Sequence, residues 1–151
     1  MNILVDRDQF ASPRPFSITR AVIRINMVDG ELLDGDIAYV RIKSFHANVS
    51  TELDSLLTRF QRESSGGELR GLVLDLRGNP GGYLNQAVEV ADQFLEDGVI
   101  VSTVESGGVR REEQTASRTS TDTDYPIAVL VNGSSASASE IVAGALKNHQ
   151  R

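Results

Sequence analysis

Twice along this chain an apolar run leads into a turn rich in small residues and then into a helical pattern, and this repeated unit restricts the fold more than any other feature. The first run, within residues 69–76, is Gly71-Leu72-Val73-Leu74-Asp75-Leu76, and it is followed by Arg77-Gly78-Asn79-Pro80-Gly81-Gly82. The second is Ile127-Ala128-Val129-Leu130-Val131, followed by a loop over 132–137 and a helix over 138–148 carrying Ile141, Val142, Ala145 and Leu146. Apolar residues without alternation suit a strand covered on both faces, and such strands belong to parallel sheets joined by crossover helices. The expected class is therefore α/β with right-handed crossovers.

The intervening segments agree with that class. Residues 37–42, Ile37-Ala38-Tyr39-Val40-Arg41-Ile42, have strand composition, and 44–48 read as a loop. Ser50 or Thr51 is the expected cap of a helix whose Leu53, Leu56, Leu57 and Phe60 fall at i, i+3, i+4 and i+7, with Arg59, Gln61 and Arg62 facing away. Ser64-Ser65-Gly66-Gly67 ends it. A second helix is expected over 85–96, with Ala87, Val88, Ala91, Phe94 and Leu95 inward and Asp97-Gly98 as its stop. Residues 99–104 read as a strand, and the polar stretch 105–124 as a projecting hairpin turning at Ser106-Gly107-Gly108. Short strands are expected at 3–5, 16–19 and 22–25, around a turn with Pro13 and Pro15, and 29–36 reads as turn.

Composition excludes several kinds of function. A net charge of −6 lacks the broad positive field that draws proteins to nucleic acid or anionic lipid. Zero cysteines rule out disulfides, thiolate metal ligands and cysteine nucleophiles, and two histidines leave little for a transition-metal site. No apolar run approaches the ~20 residues of a membrane span. At 151 residues and 40% hydrophobic, the chain is the size of one globular domain.

Both small-residue turns follow the carboxyl ends of strands expected to be parallel, where sites form in such sheets. The first lacks the G-x-G-x-x-G spacing of a dinucleotide loop and the second the Gly-Lys-Ser/Thr ending of a P-loop. Gly133-Ser134-Ser135-Ala136-Ser137-Ala138-Ser139-Glu140 sets several hydroxyls at a helix N-terminus, whose free N–H groups and dipole would stabilise an oxyanion. Ser137 has two readings here. It suits a serine nucleophile, and Ser137-x-x-Glu140 equally fits a capping box that needs no chemistry. Small residues at 136 and 138 permit close backbone approach, and Gly81-Gly82 offers a second N–H donor. The G-x-S-x-G spacing of the hydrolase elbow is not met around Ser137.

Three stretches in this order resemble the carboxy-terminal processing peptidases, the tail-specific S41-type serine endopeptidases: 37–45, ending Lys43-Ser44-Phe45; 74–82, containing Arg77-Gly78-Asn79-Pro80-Gly81-Gly82; and 129–146 around Ser137. The resemblance implies a ClpP/crotonase-like core over 21–151, preceded over 1–20 by the last strands of a PDZ domain. It implies an endopeptidase that cuts polypeptides near their C-termini with a Ser-Lys dyad, without metal or organic cofactor. On the same basis Ser137 is the nucleophile and the N–H groups of Ala138 and Gly82 hold the oxyanion. The location it implies is periplasmic, cell-envelope or extracellular.

One part of the pattern is missing. The family's lysine belongs to a Gly-Lys-Gly segment farther downstream, whereas this chain has only Lys43 and Lys147. Lys147 lies ten positions beyond Ser137, and at a helical rise of about 1.5 Å per residue that is roughly 15 Å, too far for proton transfer. It is expected to complement the helix dipole, and Lys43 to be solvated. His46 sits where a loop histidine could act as a base, its plainer reading being a surface side chain, and His149 is placed at a frayed helix end. Asp75 and Arg77 are expected to pair and fix the turn. The expectation is a fragment without its general base, inactive alone and prone to self-association through exposed sheet edges. Two alternatives remain open, a non-catalytic pseudo-protease or peptide-binding scaffold and a crotonase-like acyl-CoA enzyme.

Overall fold

The computed structural model describes residues 1–21, 26–104, 110–117 and 125–151. Its centre is a four-stranded sheet in the order β3 (Val28–Leu33), β4 (Ile37–Ile42), β5 (Gly71–Asp75), β8 (Ile127–Leu130). Strands β4, β5 and β8 run parallel, with Val40 opposite Leu74 and Leu74 opposite Val129, while β3 pairs antiparallel with β4. Leu72 and Leu74 of β5 are buried, as the unbroken apolar run requires of a strand with neighbours on both sides.

The strand β3 overturns the expectation of a turn over 29–36. Asp29 and Gly30 read as turn residues, but they serve an edge strand: Asp29 and Glu31 face outward, and a Cβ at Gly30 would overlap the Tyr39 carbonyl on β4. Strand β8 corrects a second expectation, since its residues are only partly covered and Ala128 is exposed. It borders the sheet, and among the described residues no strand pairs with its outer side.

Helix α1 (Val49–Glu63) buries Leu53, Leu57 and Phe60, with Leu56 half-buried against the same core. Each such side chain contributes roughly 1.5–3 kcal/mol on burial. The expected Ser50 cap is incorrect: Asn48, at φ 71°, occupies the cap position, and Ser50 lies buried in the first turn. There its N–H donates to Gln86 Oε1 (3.0 Å) and its Oγ to Glu89 Oε2 (2.5 Å), tying α1 to α2 (Leu84–Asp92). Helix α2 is shorter than the periodicity suggested, because Phe94 and Leu95 are buried in the turn that follows it rather than on its face.

Strand β6 (Val99–Val104) does not join the central sheet but pairs antiparallel with β7 (Arg110–Thr115), which gives the expected hairpin its two strands. Its expected turn at 106–108, like the expected strand at 22–25, lies outside the described residues. At the N-terminus β1 (Asn2–Val5) and β2 (Arg14–Ser17) form a separate antiparallel pair with Leu4 and Phe16 exposed. Helix α3 (Ala138–Asn148) buries Val142, Ala145 and Leu146. Its end is anchored rather than frayed: a His149 ring nitrogen lies 2.9 Å from the Val99 carbonyl and Arg151 Nε donates to the Phe94 carbonyl (3.2 Å).

Candidate functional site

The turns after β5 and β8 lie side by side because their strands are parallel neighbours, and hydrogen bonds then lock them together. Ser135 Oγ donates to the Leu76 carbonyl (2.7 Å), Gly78 N–H to Asn132 Oδ1 (2.9 Å), and Ala136 N–H to the Asn79 carbonyl (3.1 Å). Asn79 is fully buried, with Nδ2 donating to the Ile42 carbonyl (2.8 Å) and Oδ1 accepting from Gly81 N–H (2.8 Å).

The loop after β4 closes the other side. Ser44 Oγ and Phe45 N–H both donate to the Gly81 carbonyl, at 2.8 and 2.9 Å, and Tyr83 N–H donates to the Phe45 carbonyl at 2.6 Å. Such proximity explains the Gly-Gly pair. Gly81 has φ 101° and Gly82 φ 144°, conformations that side chains rarely adopt. A Cβ at Gly81 would lie 2.8 Å from Ser137 Cβ and 2.9 Å from Ala138 N, and one at Gly82 2.7 Å from the Phe45 carbonyl carbon.

Ser137 stands where β8's turn enters α3, exposed, with φ 53° and ψ −114°. The capping box forms, Glu140 Oε2 accepting Ser137 N–H at 2.7 Å. An ordinary N-cap residue takes extended backbone angles, so capping alone does not account for this conformation. Ala138 is buried directly behind it, at the first position of α3. Ser137, Ala138 and Gly82, the residues expected from the sequence, lie together: Gly81 packs against the Ser137-Ala138 peptide and Gly82 is the next residue. Among the described residues neither Ala138 N–H nor Gly82 N–H donates to a protein acceptor. Two unengaged N–H groups beside a strained, exposed serine make an arrangement that can hold a developing oxyanion.

The remaining candidates lie apart from that centre. Lys43 is half-exposed and its ammonium meets Asp29 at 2.8 Å; Lys147 is exposed in the last turn of α3. His46 is exposed with its ring centroid 6.3 Å from that of Tyr83, and no hydrogen bond joins it to Ser137. Asp75 is buried and takes a two-point contact from Arg77, Nε to Oδ1 at 2.9 Å and Nη2 to Oδ2 at 2.7 Å, with Tyr39 Oη donating to Oδ2 at 2.6 Å. The Arg77 hydrogen bonds, aided by that of Tyr39, hold the Asp75 carboxyl well below the usual carboxylate range. The bond to Asp75 in turn raises the Tyr39 hydroxyl. This trio braces the base of the glycine turn. Among the described residues no group of acidic or histidine side chains is arranged to hold a metal.

Sequence reasoning missed Asn79, Ser135 and Asn132, which hold the two turns together. The Asn-Pro-Gly-Gly string marked a turn, but the partners of Asn79 come from residues 42, 81, 136 and 139, which only folding assembles.

Comparison with known proteins adds an independent observation. The model of peptidase family S41 matches residues 36–151. A carboxy-terminal-processing protease from Bartonella bacilliformis is 38% identical, the match covering 100% of this chain and 35% of the relative. A carboxyl-terminal-processing protease from Synechocystis is also 38% identical, over 92% of this chain and 32% of its own. Among solved structures, a photosystem II D1 C-terminal processing protease superposes with a TM-score of 0.73 at 32% identity, covering 93% of this chain and 38% of that one. The chain thus spans about a third of the length of the curated relatives it matches.

Proposed function

The chain belongs to peptidase family S41, and on that premise we propose that it is the nucleophile-bearing part of a serine endopeptidase that processes polypeptides near their C-termini. The observation that carries this reading is the backbone of Ser137, φ 53° and ψ −114° at the head of α3, with a glycine turn pressed against it. A residue held in so sparsely populated a region costs on the order of 1–3 kcal/mol, and such strain clusters at active sites.

In the reaction, Ser137 Oγ attacks the carbonyl carbon of the scissile peptide and the carbonyl oxygen becomes an oxyanion. The N–H groups of Ala138 and Gly82 receive that charge, already oriented and unengaged by the protein, so little reorganisation accompanies the reaction. The serine proton goes to a neutral lysine, whose ordinary pKa burial must lower. Neither lysine of these 151 residues supplies that base, since Lys43 is paired with Asp29 and Lys147 stands roughly 15 Å along α3. The chain alone is therefore inactive, and the base comes from outside it. Residues 1–20 are read as the closing strands of a PDZ domain, 21–151 as part of a ClpP/crotonase-like core, and the setting as the cell envelope or beyond. No helix among the described residues is long and apolar enough to cross a membrane.

The capping box favours a second reading, a non-catalytic scaffold in which Ser137 only starts a helix. Peptide turnover by the protein expressed from its complete natural reading frame decides between them. The peptidase reading expects turnover that Ser137→Ala abolishes, and none from the 151-residue chain. Turnover that survives Ser137→Ala would refute the nucleophile.

A further inference from the structure

Three consecutive N–H groups lie in the glycine turn, and the protein engages two of them. Gly81 N–H is held by Asn79 Oδ1 (2.8 Å) and Tyr83 N–H by the Phe45 carbonyl (2.6 Å). Gly82 N–H, between them, finds no acceptor among the described residues. The side chain of Asn79 thus fixes which N–H the turn can present.

The same residue reaches the other donor. Its backbone carbonyl, held in place by the anchored side chain, accepts from Ala136 N–H (3.1 Å) and from Ser139 Oγ (3.0 Å), which flank the Ser137-Ala138 peptide on both sides. Its Nδ2 is anchored to the Ile42 carbonyl at the end of β4 (2.8 Å). Asn79 is fully buried, so water does not compete for these bonds.

We infer that Asn79 is a positioning residue that sets the relative placement of the Gly82 and Ala138 N–H groups. The inference rests on the peptidase reading. Without the side chain, Gly81 N–H loses its acceptor and the turn is held only from the Phe45 side, and a displacement of about 1 Å in such a site costs on the order of 100-fold in rate. A residue that merely stabilised the fold would not distinguish a tetrahedral ligand from a planar one.

The test uses the protein expressed from its complete natural reading frame and compares a peptidyl boronic acid, which becomes tetrahedral on the serine, with the matching peptide acid. Asn79→Ala is expected to weaken the boronate about 100-fold while the peptide acid binds within twofold of wild type. Should Asn79→Ala fail to fold, Asn79→Ser, too short to span Ile42 and Gly81, takes its place with the same expectation. Boronate affinity that is unchanged, or that falls in step with peptide-acid affinity or melting temperature, overturns the inference. Boronate binding that survives Ser137→Ala refutes the serine reading itself; binding that requires Ser137 but ignores Asn79 refutes only the positioning role.

Discussion

Gly82→Ala tests how tightly the turn is held. A Cβ at this position would lie 2.7 Å from the Phe45 carbonyl carbon and 3.0 Å from Phe45 Cα, all of it backbone that no rotamer change can move aside. At φ 144° an alanine is also strained by on the order of 1–3 kcal/mol. Relief requires the turn to move away from Phe45, breaking the Tyr83 N–H bond to its carbonyl, a loss of about 1 kcal/mol. The sum is about 3 kcal/mol, a large fraction of the 5–15 kcal/mol that holds a typical domain together. With a urea slope of about 2 kcal/mol/M, the unfolding midpoint should fall by about 1.5 M. Equilibrium urea unfolding followed by circular dichroism measures it. A midpoint within about 0.3 M of wild type would show that the turn is not pressed against residue 45, and the argument for the Gly-Gly pair would fail.

Further expectations concern the serine, the acid pair and the sheet edge. Ser137→Gly should be more stable than Ser137→Ala by more than about 2 kcal/mol, because an ordinary cap already favours glycine over alanine by up to about 1 kcal/mol and glycine also relieves the strain of φ 53° that alanine keeps; a difference of about 1 kcal/mol or less, measured by urea unfolding, would make Ser137 an ordinary cap. Asp75 has a folded-state pKa below its unfolded value, so its stabilisation is complete above about pH 4 and is lost as pH falls through and below that value. Unfolding midpoints between about pH 5 and 3 should decline less in Asp75→Asn than in wild type, and parallel declines would remove Asp75 from the acid response. The four residues of β8 are uncharged, Val131 beyond them is exposed, and the groove beside them is apolar apart from Lys147, Gln150 and Arg151. We expect concentration-dependent association that Val131→Lys weakens, and sedimentation showing the same monomer for both chains at all concentrations would contradict this.

Strand β5 was legible because burial on both faces leaves a one-dimensional mark, and β8 because its apolar run is equally unbroken, although it borders the sheet and is only partly covered. The strand β3 was not, because at a sheet edge Asp29, Gly30 and Glu31 satisfy the same preferences that make a turn. The cap of α1 was misread for a related reason, since Ser50 donates to Gln86 and Glu89 on α2 and not to its own helix.

For the site, the sequence alone determined the residue types: a serine and small neighbours at a helix start, two glycines after a buried strand, and an asparagine between them. Those are local properties, fixed by turn chemistry and helix initiation. Only the tertiary structure decided that the two turns, more than fifty residues apart in sequence, meet within contact distance, that Asn79 bridges them, and that among the described residues Gly82 rather than Gly81 keeps its N–H unengaged. Strand register sets that meeting, and register follows from how side chains on β4, β5 and β8 pack across the sheet.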